Sequence, residues 1–293
     1  MTITREYVKS LKPGNEKNHL AQILKDYMAN DEWAMRALKP IGILMTGHPS
    51  TRPFLSASIE THKKLGYWIT LAYDNYWDPK NKESKYDNLM PTREVFDQVD
   101  TFIIPHHQTW GGVLYPYFWV LKFGMHTMGG FEYVYCTNGD CILEKPENFE
   151  QIIDMLGDGD IIGCGWEKTA QGRELFNTTA FLAKTTAAQA MMKHFQDHLI
   201  PFDNYEKYAE EFGNTEARFA KAIKDLDLKL VKAPENPFNT QSHKPGYGTW
   251  YKTIGFRHIH GEWAYGMKYG KSKIPWEYVD KTYLPRGKYR RKI

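Results

Sequence analysis

Cysteine is scarce in this 293-residue chain, and Cys136, Cys141 and Cys164 are odd in number with no CxxC pair among them. A disulfide framework is therefore not expected, and the thiols read as reduced. The opening residues MTITREYVKSLK lack the apolar core of a secretory leader, so the expected location is cytoplasmic. Long apolar runs are missing too. The best, residues 113–125, contains Lys122 and is too short to span a bilayer, which leaves at most a visit to a membrane surface. Charge of one sign is not in excess. A net charge of +3 permits an anionic ligand but does not by itself argue for a nucleic-acid binder. No internal repeat is present. What is abundant is apolar and aromatic surface, at 42% and 15% of residues, enough for a globular core and for a site that stacks rings or sugars. The length fits one large domain or two small halves.

Residues 131–143, FEYVYCTNGDCIL, are the stretch around which the rest is arranged. Phe131, Tyr133, Val134, Tyr135 and Cys136 read as a buried strand, broken by the polar turn Thr137-Asn138-Gly139-Asp140 before apolar Cys141-Ile142-Leu143. In open α/β sheets ligands gather at the carboxyl ends of strands, where this turn falls. An ionised Asp140 between apolar neighbours needs a partner. A divalent cation holding a diphosphate would be one, since hard cations take carboxylate and phosphate oxygens together. The competing expectation is an ordinary turn shaped by Asn138 and Gly139 with Asp140 solvated.

On either side the pattern alternates. Residues 1–39 read as a helical extension ended by Pro40, and Ile41 to Met45 as a buried strand opening onto Thr46-Gly47-His48-Pro49. A helix carrying Phe54, Leu55, Ile59 and Leu65 ends near Gly66, and a second strand, residues 67–73, closes on Asp74. This βαβ unit calls for parallel strands with a right-handed crossover. Further on come a polar loop (78–88), a short strand (102–105), a loop with His106, His107, Trp110, Gly111 and Gly112, and a helix over 114–128. After the central turn a helix (146–156), a strand (160–165), a strand (176–183) and helices over 186–198 and 214–226 are expected. From residue 230 the chain, rich in Pro, Gly, Tyr and Trp, is expected to wrap back over the first half and end in a basic tail, 286–292. The division is then an extension to residue 40, a nucleotide-sugar half over 41–165, and an acceptor half over 166–293.

The order of these features, over about residues 41–268, resembles the GT-A glycosyltransferases, which use nucleotide sugars on a single Rossmann-like α/β domain with a mostly parallel sheet. Four local matches carry the resemblance. Thr46-Gly47-His48-Pro49 stands where the family's first strand opens onto the nucleotide, and Asn138-Gly139-Asp140 where it keeps its Asp-x-Asp metal motif. Phe176-Asn177-Thr178-Thr179-Ala180 is similar to the strand beside the donor sugar. His258-Ile259-His260-Gly261 is similar to the late segment that reaches back to metal or diphosphate. The resemblance implies that Asp140 and His260, with the Asn138 carbonyl, hold Mn²⁺ or Mg²⁺ across the two phosphates, a Lewis acid for the departing nucleoside diphosphate. Asn138 replaces the family's first Asp and brings no charge, so strict metal dependence should weaken. Imidazole beside carboxylate suits Mn²⁺ better than Mg²⁺.

The donor, UDP-linked on this reading, would meet Thr46, Gly47, His48, Arg52, Asp74, His107, Trp110, Gly111, Gly112, Asn138, Asn177 and Lys268. Arg257 is a further candidate to neutralise the diphosphate. For the acceptor hydroxyl an inverting transferase needs a carboxylate base. Glu216, opening a helix, resembles the late acidic residue many inverting members use, though helix-start chemistry accounts for it equally; Glu167 is the runner-up. The acceptor is a glycan or glycolipid, or a hydroxymethylated DNA base as in phage DNA glycosyl- or arabinosyltransferases, with the basic tail supplying charge. Two rivals stand beside this: a nucleotidyltransferase, which normally shows a glycine-rich, Lys/Arg-bearing loop where Gly47-His48-Pro49 has little glycine, and a non-enzymatic nucleotide- or DNA-binding module.

Overall fold

The computed structural model describes residues 36, 39–48, 51–73, 93–103, 131–168, 172, 174–199, 215–231, 248–259 and 275–283. The expected loops at 78–88 and 106–112, the helix over 114–128, the basic tail and nearly all of the N-terminal extension lie outside these residues.

Strand β1 (Ile41–Gly47) is buried along its whole length, as a central parallel strand covered on both faces must be. Helix α1 (Arg52–Lys63) follows, with proline in its first turn, where a missing N–H costs nothing. Gly66, at φ 67°, ends the turn after it. Strand β2 (Trp68–Tyr73) pairs parallel with β1 and completes the expected βαβ unit. The short helix α2 (Arg93–Phe96) leads to β3 (Thr101–Ile103), parallel to β2. Asp100, just before β3, accepts the Ile69 N–H at 2.9 Å and pairs with Arg36 at 2.7 Å, which ties that residue of the extension to the sheet.

The chain then returns to the other side of β1. Strand β4 (Tyr133–Asn138) pairs with it in parallel, Ile41 opposite Tyr133 and Thr46 opposite Asn138. Strand β5 (Cys141–Leu143), a 3₁₀ turn (Pro146–Asn148) and helix α3 (Glu150–Leu156) come next, then β6 (Ile161–Gly163). A hairpin of β7 (Trp166–Lys168) and β8 (Glu174–Phe176) precedes β9 (Ala180–Lys184) and helix α4 (Thr185–Leu199). The single strand expected over 176–183 is therefore two. Asn177 Oδ1 accepts the Thr179 N–H at 2.8 Å, and this local side-chain bond turns the chain between β8 and β9. Helix α5 (Thr215–Asp225), β10 (Leu230–Val231), helix α6 (Gly248–Ile254) and β11 (Phe256–His258) follow, with 3₁₀ turns at Trp276–Tyr278 and Lys281–Tyr283.

Among the described residues the main sheet has seven strands, in the order β10-β6-β9-β4-β1-β2-β3. Only β9 runs against the others, pairing antiparallel with both β4 and β6. The fold is thus α/β with a mostly parallel central sheet, as expected. Alternate residues divide between its faces. Leu44, Val134, Cys136, Phe181 and Ala183 pack with Met191 and Phe195 of α4 and Phe219 of α5. Ile41, Ile43, Tyr135 and Leu182 pack with Phe149, Ile152 of α3 and Trp250 of α6. Helix α1 covers the same second face through Leu55 and Ile59 against Met45 and Leu71. All three cysteines are buried and unbridged. Among the described residues, no helix is long and apolar enough to cross a membrane.

Candidate functional site

The strand order reverses between β1 and β4: from β1 the chain builds outward through β2 and β3, then returns to lay β4 on the opposite side. Ligands of open α/β sheets sit outside the carboxyl ends of strands at such a reversal. Thr46-Gly47-His48 leaves β1 here, and Asn138-Gly139-Asp140 leaves β4.

The two strand ends are fastened together. Thr46 Oγ1 donates to Asn138 Oδ1 at 2.9 Å, and the Gly139 N–H donates to the Thr46 carbonyl at 2.6 Å. Gly139 has no room for a side chain, since a Cβ there would lie 2.7 Å from Leu55 Cδ1 and 3.0 Å from the Thr46 carbonyl oxygen. Glycine at that point lets the turn drop against α1, and Asp140 follows it into the protein. Gly47 is confined in the same way by the Tyr73 ring, 2.6 Å from where its Cβ would stand. The Asn138 N–H donates to the Thr179 carbonyl at 3.0 Å, so the turn at Asn177–Thr179 supports the site turn from behind. Asn177, 3% exposed, spends its side-chain oxygen on that support.

Asp140 is 2% exposed. The antiparallel ribbon of β5 and β11 sets His258 opposite Cys141, and the Ile259 N–H closes on the Asp140 carbonyl at 2.9 Å. This register puts His258 Nε2 at 3.1 Å from Asp140 Oδ2. The Cys141 thiol lies 3.8 Å from the other carboxylate oxygen, Oδ1. Burial first, and then the charge of Asp140, push the Cys141 pKa well above its usual value, so the thiol stays protonated and can donate. Asp140 is thus not solvated, and the ordinary-turn reading fails at this residue. His258 is the partner that the sequence had left beside His260; His260 lies outside the described residues.

Other expected site residues are placed as follows. His48 is half-buried and locks the loop before α1: its N–H donates to Thr51 Oγ1 at 3.0 Å, and that hydroxyl donates back to the His48 carbonyl at 2.9 Å. Arg52, the first residue of α1, is 1% exposed. Arg257 is engaged elsewhere, pairing with Glu144 at 2.5 Å on the ribbon, with Glu277 at 4.0 Å. Glu216 is half-buried in the first turn of α5, which packs on β8 and α4, and none of the hydrogen bonds that gather Thr46, Asn138, Asp140 and His258 includes it. Glu167 sits mid-strand in β7, opposite Leu175. Asp74, His107, Trp110, Gly111, Gly112 and Lys268 lie outside the described residues.

As a cation site the donor set is one carboxylate, one imidazole and the Asn138 amide oxygen, which already accepts from Thr46. Among the described residues no group of three His, Cys, Asp or Glu side chains converges. Asp140 and His258 would give a divalent cation one carboxylate and one imidazole, with further ligands needed from elsewhere, and an imidazole suits Mn²⁺ better than Mg²⁺.

No protein-family model matches the chain, and no curated protein does. Solved structures with a similar course of chain include a 4-diphosphocytidyl-2C-methyl-D-erythritol synthase from Anaerococcus prevotii (13% identity, TM-score 0.36, 61% of this chain and 86% of that one). A candidate nucleotide-diphospho-sugar transferase from Desulfovibrio desulfuricans is 10% identical, at TM-score 0.40 over 74% and 92% of the two chains. A candidate glucose-1-phosphate thymidylyltransferase from Bacillus anthracis, in complex with sucrose, is 11% identical, at TM-score 0.38 over 66% and 87%. At these values the functional reading rests on the site's own geometry.

Proposed function

We propose that the protein is a glycosyltransferase that moves a sugar from a nucleoside-diphosphate sugar to an acceptor hydroxyl. The observation that carries this reading is the buried Asp140 carboxylate at the carboxyl end of β4, held against His258 where the strand order reverses beside β1. A charge kept at the rim of a sheet among fixed partners is organised for a ligand that brings its own charge. Asp140 and His258 would hold a divalent cation, Mn²⁺ or Mg²⁺, which would neutralise charge on the departing nucleoside diphosphate. Thr46 fixes the Asn138 amide and Gly139 seats the turn, so the carboxylate needs little reorganisation when the donor arrives.

Loop residues His48, Asp74, His107, Trp110, Gly111 and Gly112, together with Lys268, receive the nucleotide, which we take to be UDP-linked. Glu216, or Glu167, accepts the proton of the acceptor hydroxyl. That acceptor is a glycan or glycolipid, with a hydroxymethylated DNA base as the second choice.

The test is incubation of the full-length protein with UDP- and GDP-sugars and MnCl₂, following release of the nucleoside diphosphate. Asp140→Asn, nearly isosteric, should lower donor hydrolysis by roughly 10²–10³-fold, the cost of removing one preorganised electrostatic partner, while circular dichroism stays unchanged. Hydrolysis at the wild-type rate in that variant would sink the assignment. Pyrophosphate exchange in place of sugar release would move the protein to the nucleotidyltransferases.

A further inference from the structure

Arg52 lies in the interior, and among the described residues its charge is unanswered. It is 1% exposed, and its Nε and Nη1 are buried with no hydrogen-bond partner among the described residues. A guanidinium stays protonated throughout the range in which proteins fold, and a buried charge with no counter-charge is costly. Its one described contact of note is a stack on Tyr283, with the guanidinium carbon 3.6 Å from the ring centroid. The negative face of the ring offsets part of that cost and leaves the in-plane donors unused.

Side chains on a helix lean toward its N-terminus, so Arg52, at the start of α1, leans toward the end of β1 where the strand order reverses. The backbone there offers an anion little. The N–H groups of His48, Thr51 and Phe54 are already donated to Thr51 Oγ1, the His48 carbonyl and the Thr51 carbonyl, and Pro53 has none. Among the described residues at this corner, the Arg52 side chain is the positive group. Tyr283 is carried there by a fixed segment: the Asp280 N–H donates to the Pro53 carbonyl at 2.7 Å, and Val279 packs with Phe54, Ile142 and Ile259.

We infer that Arg52 is the seat of the donor's diphosphate, and that Tyr283 is its positioning residue. This rests on the nucleotide-sugar reading above. The ring takes the face of the guanidinium and the phosphate oxygens take its edge, so the two contacts do not compete. The C-terminal segment 275–283 thereby belongs to the donor site and is not merely a wrap over the core.

Sodium pyrophosphate and UDP serve as separate probes, with thermal unfolding and calorimetric titration of the full chain in EDTA so that the seat is read apart from any cation. Pyrophosphate should raise Tm in the wild type and in Tyr283→Phe. Arg52→Gln should lose that rise, with affinity weakened at least about tenfold, as expected for a charged hydrogen bond. Without ligand, Arg52→Gln should unfold at the wild-type temperature or above it, because an uncompensated buried charge has gone; a structural arginine would give a lower Tm. Tyr283→Leu should weaken pyrophosphate binding where Tyr283→Phe does not. If Arg52→Gln fails to fold, Arg52→Lys keeps the charge without the fork and should also bind at least about tenfold more weakly.

Four results overturn the inference: no pyrophosphate effect on the wild type, a retained effect in Arg52→Gln or Arg52→Lys, equal binding by the two Tyr283 variants, or a folded, unliganded Arg52→Gln protein with a lower Tm than the wild type. Donor hydrolysis without Arg52-dependent pyrophosphate binding removes the seat alone. Arg52-dependent binding without hydrolysis of any nucleotide sugar supports the seat and removes the enzymatic reading.

Discussion

Asp140 and His62 are both buried ionisable side chains, and their surroundings treat them in opposite ways. Asp140 has a histidine and a thiol at its two oxygens. His62, at the far end of α1, is fully buried, stacks on Tyr135 at 5.8 Å, and has only the Ser58 carbonyl, 2.7 Å from Nδ1. Since a carbonyl can only accept, Nδ1 carries the proton and Nε2 is bare, with no hydrogen-bond partner among the described residues. Burial lowers the pKa of His62 to about 4 from 6.5. Above pH 6.5 the imidazole is neutral folded or unfolded, and stability does not depend on it. Between 6.5 and 4 the unfolded chain takes up a proton that the folded chain refuses, so stability falls with pH by up to about 3 kcal/mol. Urea unfolding at pH 7 and pH 4.5 should show that loss in the wild type and a smaller one in His62→Leu; equal losses would mean the ring is not held neutral. At this scale the sequence was legible in part. A carboxylate after Asn-Gly between apolar residues marked Asp140 as a charge in need of a partner, and it is buried with one. The choice between His258 and His260, two residues apart and so expected on one face of an extended chain, depends on the pairing register of β11 with β5, which no single segment encodes.

The element that sets His258 against Asp140 is the β5–β11 ribbon, and a glycine controls its entry. Gly255 joins α6 to β11 at φ +63°, a conformation that L side chains disfavour. A Cβ there would stand 2.7 Å from the Glu144 Cβ and 3.1 Å from two Glu144 backbone atoms, and backbone yields little. Gly255→Ala should therefore cost about 1–3 kcal/mol of stability, read by denaturant unfolding, and should lower donor hydrolysis more than the stability loss alone accounts for, because His258 lies three residues on. Full activity in a folded Gly255→Ala protein would detach the ribbon from the site. The strands β1, β2 and β4 were legible because each is a continuous apolar run ended by a polar turn. The break at Asn177–Thr179 was not, since Phe176 and Ala180 to Ala183 read as one run unless the Asn177 side chain is known to bond the backbone two residues on. Asn177 then serves the site from behind, through the Thr179 carbonyl that receives Asn138.

Across the whole molecule, the division expected near residue 165 crosses a single sheet. Strand β6 precedes that point, yet both of its partners, β9 and β10, follow it. Strand β4 likewise has β1 on one side and β9 on the other. The face packed by Phe176, Phe181, Phe195 and Phe219 is also supplied by the later part, against Leu44, Val134 and Cys136 of the earlier one. A fragment of residues 1–165 would keep β1–β4 but leave β6 unpaired and one face of the sheet open to water. Exposed hydrogen-bonding edges and an uncovered apolar face favour association over folding. That fragment, expressed alone, should show no cooperative thermal or urea transition and no amide protection in β6, and mixing it with residues 166–293 should restore both to the extent that the sheet re-forms. A sharp, reversible transition in the isolated fragment would show that the first part is a unit in its own right. The parallel βαβ start was readable from the chain because its contacts are local. The insertion of β9 between β4 and β6 was not, because an antiparallel strand amid parallel ones is chosen by which apolar faces remain to be covered once the earlier strands are in place.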